Sequence, residues 1–231
     1  MAIEVVLWDI DGTLLNFDLP EKVAIKKCFE IFGLGECTDS MVAGYSAINK
    51  KWWKMLEDGL KTKPEILVGR FSEFLEQQGI NPEIAPAFNL EYQNRLGEVV
   101  QPYPNALETV RFLKGKKVQG IVTNGTVKTQ TAKMHTSGLD KLVDCTFISD
   151  IIGYEKPDVR FFDYVLKRIG TYPKDQIMIV GDSLSSDIRG GNNAGLVCCW
   201  YNPQKLPLSS DVKVDFEITD LKSVIGLCSL S

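Results

Sequence analysis

Short, nearly continuous apolar runs punctuate the chain at Val5–Trp8, Val118–Val122, Thr146–Ile148, Ile177–Val180 and Val197–Tyr201. Runs this short and this apolar fit strands covered on both faces. Helical stretches separate the later ones, the pattern of a parallel sheet joined by crossover helices. One such helix is predicted from about Lys128 to a stop at Gly138. Another is predicted over Arg160–Ile169, where Phe161, Phe162, Val165, Leu166 and Ile169 recur at core-facing spacing. A weaker run, Phe216–Ile218, predicts an edge strand.

One stretch breaks the alternation. From about Asn16 to Leu96 the pattern is helical throughout and offers no strand: Glu21–Phe32, Met41–Leu60, Pro64–Gln78 and Glu83–Leu96, punctuated by Gly33, Gly59 and Gly79. It falls between the first and second strands and is too long for a simple crossover. The expectation is an α/β protein with a three-layer, Rossmann-like parallel sheet core formed by residues 1–15 and 97–231. An all-α helical cap, residues 16–96, is inserted over the carboxyl edge of the sheet. Pro102 and Pro104 mark the return to the core.

Composition narrows the class. The chain has 231 residues, 44% hydrophobic and 24% charged, with a formal charge of −4 and no basic block, which disfavours a nucleic-acid polymer as partner. The cysteines Cys28, Cys37, Cys145, Cys198, Cys199 and Cys228 lack metal-type spacing and read as reduced thiols. No apolar run is long enough to span a bilayer, and the first residues lack the pattern of a secretory signal. A cytoplasmic monomer or weak dimer is expected, without membrane attachment. His135 is the single histidine, which argues against a Ser-His-Asp hydrolase and against histidine-rich metal sites.

In open α/β sheets ligands bind beyond the carboxyl ends of the strands, so the polar residues after each strand belong together. They are Asp9-Ile10-Asp11-Gly12-Thr13, then Thr123-Asn124-Gly125, then Glu155-Lys156-Pro157, then Gly181-Asp182-Ser183 with Asp187. A carboxylate nucleophile such as Asp9 splits one hard displacement at phosphorus into two easier ones. Asp11, two residues on, falls on the same side of an extended strand end, and Gly12 lets the chain turn. Two acids facing a phosphate dianion repel it unless a cation lies between them, and Mg2+ suits an all-oxygen set.

These motifs, in this order and at these strand ends, resemble the four motifs of the haloacid dehalogenase-like superfamily, and the helical insertion resembles its C1-type cap. Asn49-Lys50-x-Trp52, the Gly69-Arg70-Phe71 stretch, Thr123-Asn124-Gly125 and Ile152-Gly153-x-x-Lys156-Pro157-Asp158 are similar to the bacterial pyrimidine 5′-nucleotidase branch. The resemblance implies strand order 5-4-1-2-3 and an aspartyl-phosphate intermediate on Asp9. Asp11 would be general acid and then general base. Thr123, Asn124 and Lys156 would meet the phosphoryl group. Mg2+ would be held by Asp9, the Asp11 main-chain carbonyl and Asp182, with Asp187 in support. It also implies a cap that opens and closes about hinges near Asn16 and Leu96.

The expected activity is therefore Mg2+-dependent cleavage of a small phosphorylated metabolite, a nucleoside 5′-monophosphate above all. Sugar phosphates and a phosphosugar mutase are the alternatives. Haloacid dehalogenases and phosphonoacetaldehyde hydrolases lack an acid where Asp11 stands. A non-catalytic binding protein on this fold would have lost Asp9, Asp11 or Lys156, all present here. An aromatic from Phe17, Tyr45, Trp52 or Trp53 is a candidate to stack on a base, with Arg70 as a candidate substrate contact. Lys50, Lys51 and Lys54 read as a solvated helix face.

Overall fold

The computed structural model describes residues 2–208 and 211–229. Strand β1 (Val5–Trp8) is buried along its whole length and leads through a turn into the two-residue β2 (Leu15–Asn16). Four helices follow: α1 (Asp18–Phe32), α2 (Asp39–Glu57), α3 (Lys63–Gln77) and α4 (Ala85–Arg95). The chain returns through β3 (Gln101–Pro102) and α5 (Ala106–Leu113) to β4 (Val118–Thr123), α6 (Val127–Ser137) and β5 (Cys145–Ile148). The short α7 (Ser149–Ile152) and α8 (Val159–Ile169) precede β6 (Ile177–Gly181). Then come α9 (Arg189–Ala194), β7 (Val197–Tyr201), β8 (Phe216–Ile218) and α10 (Ser223–Leu227).

The six-stranded sheet runs β5-β4-β1-β6-β7-β8, and every pairing in it is parallel. Counting the five core strands in chain order, this is 5-4-1-2-3, with β8 added beyond β7. Alternation along the strands supplies both faces of the core. Val6, Trp8, Ile121, Met178 and Val180 pack with Val110 of α5, Met134 of α6 and Val224 of α10. Val5, Leu7, Val122, Ile177 and Ile179 pack with Phe161, Phe162 and Val165 of α8. Burying each such side chain contributes about 1.5–3 kcal/mol. Gly138 closes α6 in the left-handed conformation, and Asp158 caps α8 through the Arg160 amide.

The helical segment forms its own core of rings. Tyr45 stacks on Phe71, with centroids 5.0 Å apart and planes 12° from parallel, and Phe74, Phe88 and Tyr92 meet them edge-on or tilted. A buried polar chain crosses the same helices. Asn49 donates to Glu21 (2.9 Å), and Arg70 donates to Asn49 (2.7 Å) and Asn89 (3.2 Å). Each of α1 to α4 thus contributes one member of this chain.

The absence of any strand between Asn16 and Leu96 needs one correction. Leu15 and Asn16 pair antiparallel with Pro102 and Gln101, so the outgoing and returning chains are laced together where the helices leave the sheet. A two-residue ribbon has too little length to show a period. On the opposite side, Lys63 of α3 reaches Ser149, Asp150 (2.8 Å) and Glu155 (3.3 Å), and Glu57 at the end of α2 accepts from Ser185. The helices are therefore held over the carboxyl ends of β1, β5 and β6.

Candidate active site

Register brings the strand ends together. Trp8 lies level with Ile121 on one side and Val180 on the other, so Asp9, Thr123 and Asp182 emerge side by side. They open into a cavity of about 570 Å3 between sheet and helices, lined also by Asp11, Asn124, Lys156 and Asp187. All seven candidate residues of the four motifs thus meet in one place.

Asp9, Asp182 and Asp187 each offer a carboxylate oxygen within 4.8 Å of the others. Among the described residues a single cation contacts the group. The Lys156 ammonium, 1% exposed, donates to Asp9 (2.8 Å), Asp187 (2.6 Å) and the Val122 carbonyl (2.8 Å), which uses its three protons. Burial lifts the Asp9 carboxyl to about 7 and overrides the nearby ammonium, with Asp187 adding repulsion. Burial, then the charges of Asp9 and Asp187, hold Asp182 well above the usual range. Burial opposes the charge on Lys156, but Asp187 and Asp9 prevail and keep it protonated.

The loops are built to hold this crowding. Thr13 closes a mutual pair with Asp182, donating to its carboxylate (3.1 Å) and accepting from its amide (3.0 Å). Gly12 has φ +96°, and a Cβ there would come within 2.5 Å of the Asp182 carboxylate, so glycine is required on both counts. After β6 the chain makes a π-helical turn, Leu184–Ile188, which aims Asp187 back at Lys156 and at the Ser183 amide (3.1 Å). Thr123 accepts from the Gly125 amide (3.1 Å) and from Gln130 (2.7 Å), which leaves its hydroxyl proton to donate.

Several expectations are redrawn. The Asn124 side-chain amide, expected on phosphate, is closed on the Lys156 main chain by two bonds of 2.8 Å. Tyr45 is sealed in the ring cluster, and Trp52 packs over Gly69 with its N–H on Glu73. Of the four aromatic candidates, only Phe17 and Trp53 line the cavity. Lys50 and Lys54 also line it and are not simply a solvated face, whereas Lys51 turns to Glu73. Arg70 lines the cavity from within the buried polar chain. His135 is exposed and faces Asp140.

Two groups were missed. Lys133 and Gln130 of α6 reach the two carboxylate oxygens of Asp11, at 2.6 and 2.7 Å. Their sequence signal is a spacing of three on a helix starting just after Thr123-Asn124-Gly125, and nothing local says that this face is buried.

An all-oxygen donor set suits a hard divalent cation. Of the three clustered carboxylates Lys156 pairs with two, Asp9 and Asp187, and the Asp182 side chain accepts from Thr13 alone among the described contacts. The residues therefore fit Mg2+.

Residues 3–195 match the family model of the haloacid dehalogenase-like hydrolases. The HAD-hydrolase YfnB of Bacillus subtilis (strain 168) is 32% identical over 97% of this chain and 95% of its own. The pyrimidine 5′-nucleotidase YjjG of Escherichia coli (strain K12) is 30% identical over 85% of each chain. The pyrimidine 5′-nucleotidase PynA of Streptococcus pneumoniae (strain ATCC BAA-255 / R6) is 30% identical over 97% of this chain and 94% of its own. The crystal structure of YfnB, bound to magnesium and described as revealing interdomain movement, superposes with a TM-score of 0.93 at 31% identity and covers all of both chains. Strand order, inserted helices, the acid-and-lysine cluster at the strand ends and these relatives agree: the chain belongs to the haloacid dehalogenase-like hydrolases.

Proposed function

We propose that this hydrolase is a phosphatase of small phosphate monoesters, that Asp9 is its nucleophile, and that its preferred substrates are pyrimidine nucleoside 5′-monophosphates. The observation that carries the reading is the buried carboxylate cluster with Lys156 between Asp9 and Asp187, at the floor of a cavity roofed by helices. A carboxylate oxygen of Asp9 attacks phosphorus as the ester P–O bond breaks, and the leaving alkoxide takes a proton from Asp11. The same Asp11 then accepts a proton from the water that cleaves the aspartyl-phosphate. Lys156 holds the Asp9 carboxylate in place, and the Thr123 hydroxyl and Asn124 main chain face the phosphoryl oxygens. Asp9, the Asp11 carbonyl and Asp182 would hold Mg2+, with Asp187 behind them. When bound, the ion offsets the charge shared between carboxylate and phosphate. Residues 1–15 and 97–231 would act as the catalytic body and 16–96 as a lid, hinged where β2 and β3 are laced.

The nucleotide preference is supported by the two pyrimidine 5′-nucleotidases among the relatives and by Phe17 and Trp53 on the cavity wall. Phosphate release with Mg2+ from a panel of nucleoside 5′-monophosphates, ribose 5-phosphate and para-nitrophenyl phosphate tests it. Pyrimidine nucleotides are expected to exceed ribose 5-phosphate by at least about tenfold in kcat/KM, the scale of one well-filled pocket. Nucleotides turned over no better than the aryl phosphate would overturn the nucleotide reading and leave the phosphatase.

The metal assignment predicts a pH effect. Asp9 titrates near 7 in place of 3.8, and Asp182 is raised in the same direction. Such a carboxyl keeps its proton in the folded chain where the unfolded chain has lost it. Stability of metal-stripped protein therefore falls as pH rises through that window. Mg2+ binds the ionised carboxylates, so its stabilising shift in Tm should be larger at about pH 8 than at about pH 5. The shift should be lost in Asp182→Asn. An equal shift in wild type and Asp182→Asn would place the ion elsewhere.

A further inference from the structure

We infer that Lys133 is a positioning residue for the acid–base step: with Gln130 it fixes the carboxylate of Asp11 where the leaving-group oxygen must arrive. This rests on the phosphatase reading above and adds a residue to it.

Lys133 is only 2% exposed, and Asp11, at 2.6 Å, is its ion-pair partner among the described residues. Its ammonium lies 4.8 Å from the centroid of the Phe17 ring, a further favourable contact for a cation. Burying an ammonium is costly, and the fold does not need it here, since an apolar side chain at this point of α6 would pack without that cost. The charge sits instead on the cavity wall, on the carboxylate that the reaction uses.

Geometry ties the group to the rest of the site. Lys133 and Gln130, three apart on α6, project from one face of the helix. Lys133 holds one Asp11 oxygen, and the Gln130 amide holds the other at 2.7 Å while touching the Thr123 hydroxyl oxygen at 2.7 Å. Gln130 is fully buried, and its amide oxygen has no partner among the described residues. A Cβ on Gly125 would lie 2.2 Å from the Gln130 nitrogen, so the glycine of Thr123-Asn124-Gly125 is what lets Gln130 reach across. One helix thereby sets the direction of Asp11 and of Thr123 together.

The chemistry states the role. Asp9 oxygen bonds to phosphorus, the P–O bond to the leaving group breaks with its electron pair on oxygen, and that oxygen takes a proton from Asp11, which enters the step as the carboxylic acid and leaves it as the carboxylate paired with Lys133. An alkoxide needs the proton and para-nitrophenolate does not, so misplacing Asp11 penalises alkyl esters selectively. Because kcat/KM reports the first irreversible step, the later hydrolysis does not blur the comparison.

The test compares kcat/KM for a nucleoside 5′-monophosphate and for para-nitrophenyl phosphate in wild type, Asp11→Asn, Lys133→Met, Lys133→Gln and Lys133→Arg. The ratio of aryl to alkyl kcat/KM is expected to rise at least about tenfold in Asp11→Asn, Lys133→Met and Lys133→Gln. Lys133→Arg, which keeps a cation, should recover part of the loss. If both substrates fall by one factor in both neutral variants, Lys133 serves only the fold and the inference is wrong. A rise in Asp11→Asn without one in either neutral Lys133 variant also overturns it. A flat ratio in Asp11→Asn would remove the acid role of Asp11, and the role of Lys133 with it.

Discussion

Asp9→Asn should abolish turnover, by at least about 10^4-fold or about 5 kcal/mol in the barrier, while leaving the fold intact. An amide oxygen is a poor nucleophile toward phosphorus, and the other two acids of the cluster are turned to different partners. Asp187 is spent on Lys156 and the Ser183 amide, and Asp182 on Thr13. Stability should hold because the change relieves repulsion inside the acid cluster and leaves Lys156 paired with Asp187 at 2.6 Å. Phosphate release and thermal unfolding on the same preparation check both halves. Activity surviving at more than about a hundredth of wild type would remove Asp9 from the nucleophile's role.

Lys156→Met should behave differently, losing turnover and fold stability together. Lys156 is the only cation in contact with the buried cluster among the described residues, and its three donors hold the ends of β1 and β4 and the π-helical turn. Removing one partner of a buried ionic group typically costs about 3–5 kcal/mol, since the remaining carboxylates lose their counter-charge. Protonation of Asp9, already raised by burial, offsets part of that cost in acid. In a chain of this size the expected fall in Tm at neutral pH is about 10 °C, smaller at about pH 5. An unchanged Tm would mean that the cluster does not depend on this lysine. Asp9→Asn and Lys156→Met thus separate a residue that performs chemistry from one that also holds the site together.

The core of this architecture was readable because each strand is a short apolar run closed by polar residues. Val5–Trp8 followed by Asp9, and Ile177–Val180 followed by Gly181-Asp182, announce both the strand and what stands at its end. Side-chain direction was not readable. Tyr45 and Trp53 lie on the same helix, yet one is sealed against Phe71 and the other lines the cavity. That difference arises from how α1 to α4 pack, and no local pattern carries it. The Asn124 clasp on Lys156 spans 32 residues, and the Lys133 contact with Asp11 spans 122. Both are products of strand register. The ribbon of Leu15–Asn16 with Gln101–Pro102 was illegible for another reason, being too short for periodicity.

Contacts of two kinds join the proposed lid to the sheet domain. In the proposed opening the main-chain pairing at Leu15–Asn16 would persist, whereas the side-chain contacts of Lys63 with Asp150 and Glu155 and of Glu57 with Ser185 would part. Glu57 also lines the cavity, so parting these contacts would open it toward solvent.

The central claim is that Asp9 carries the phosphoryl group, and the most direct measurement is to catch it there. Protein turning over para-nitrophenyl phosphate with Mg2+ is quenched in acid and reduced with borohydride, which converts an acyl phosphate to an alcohol and leaves a free carboxylate alone. Homoserine is expected at position 9 in the peptide containing Asp9 and Asp11, dependent on substrate and absent from Asp9→Asn. Homoserine at another aspartate, or an unreduced Asp9 during demonstrated turnover, would contradict it.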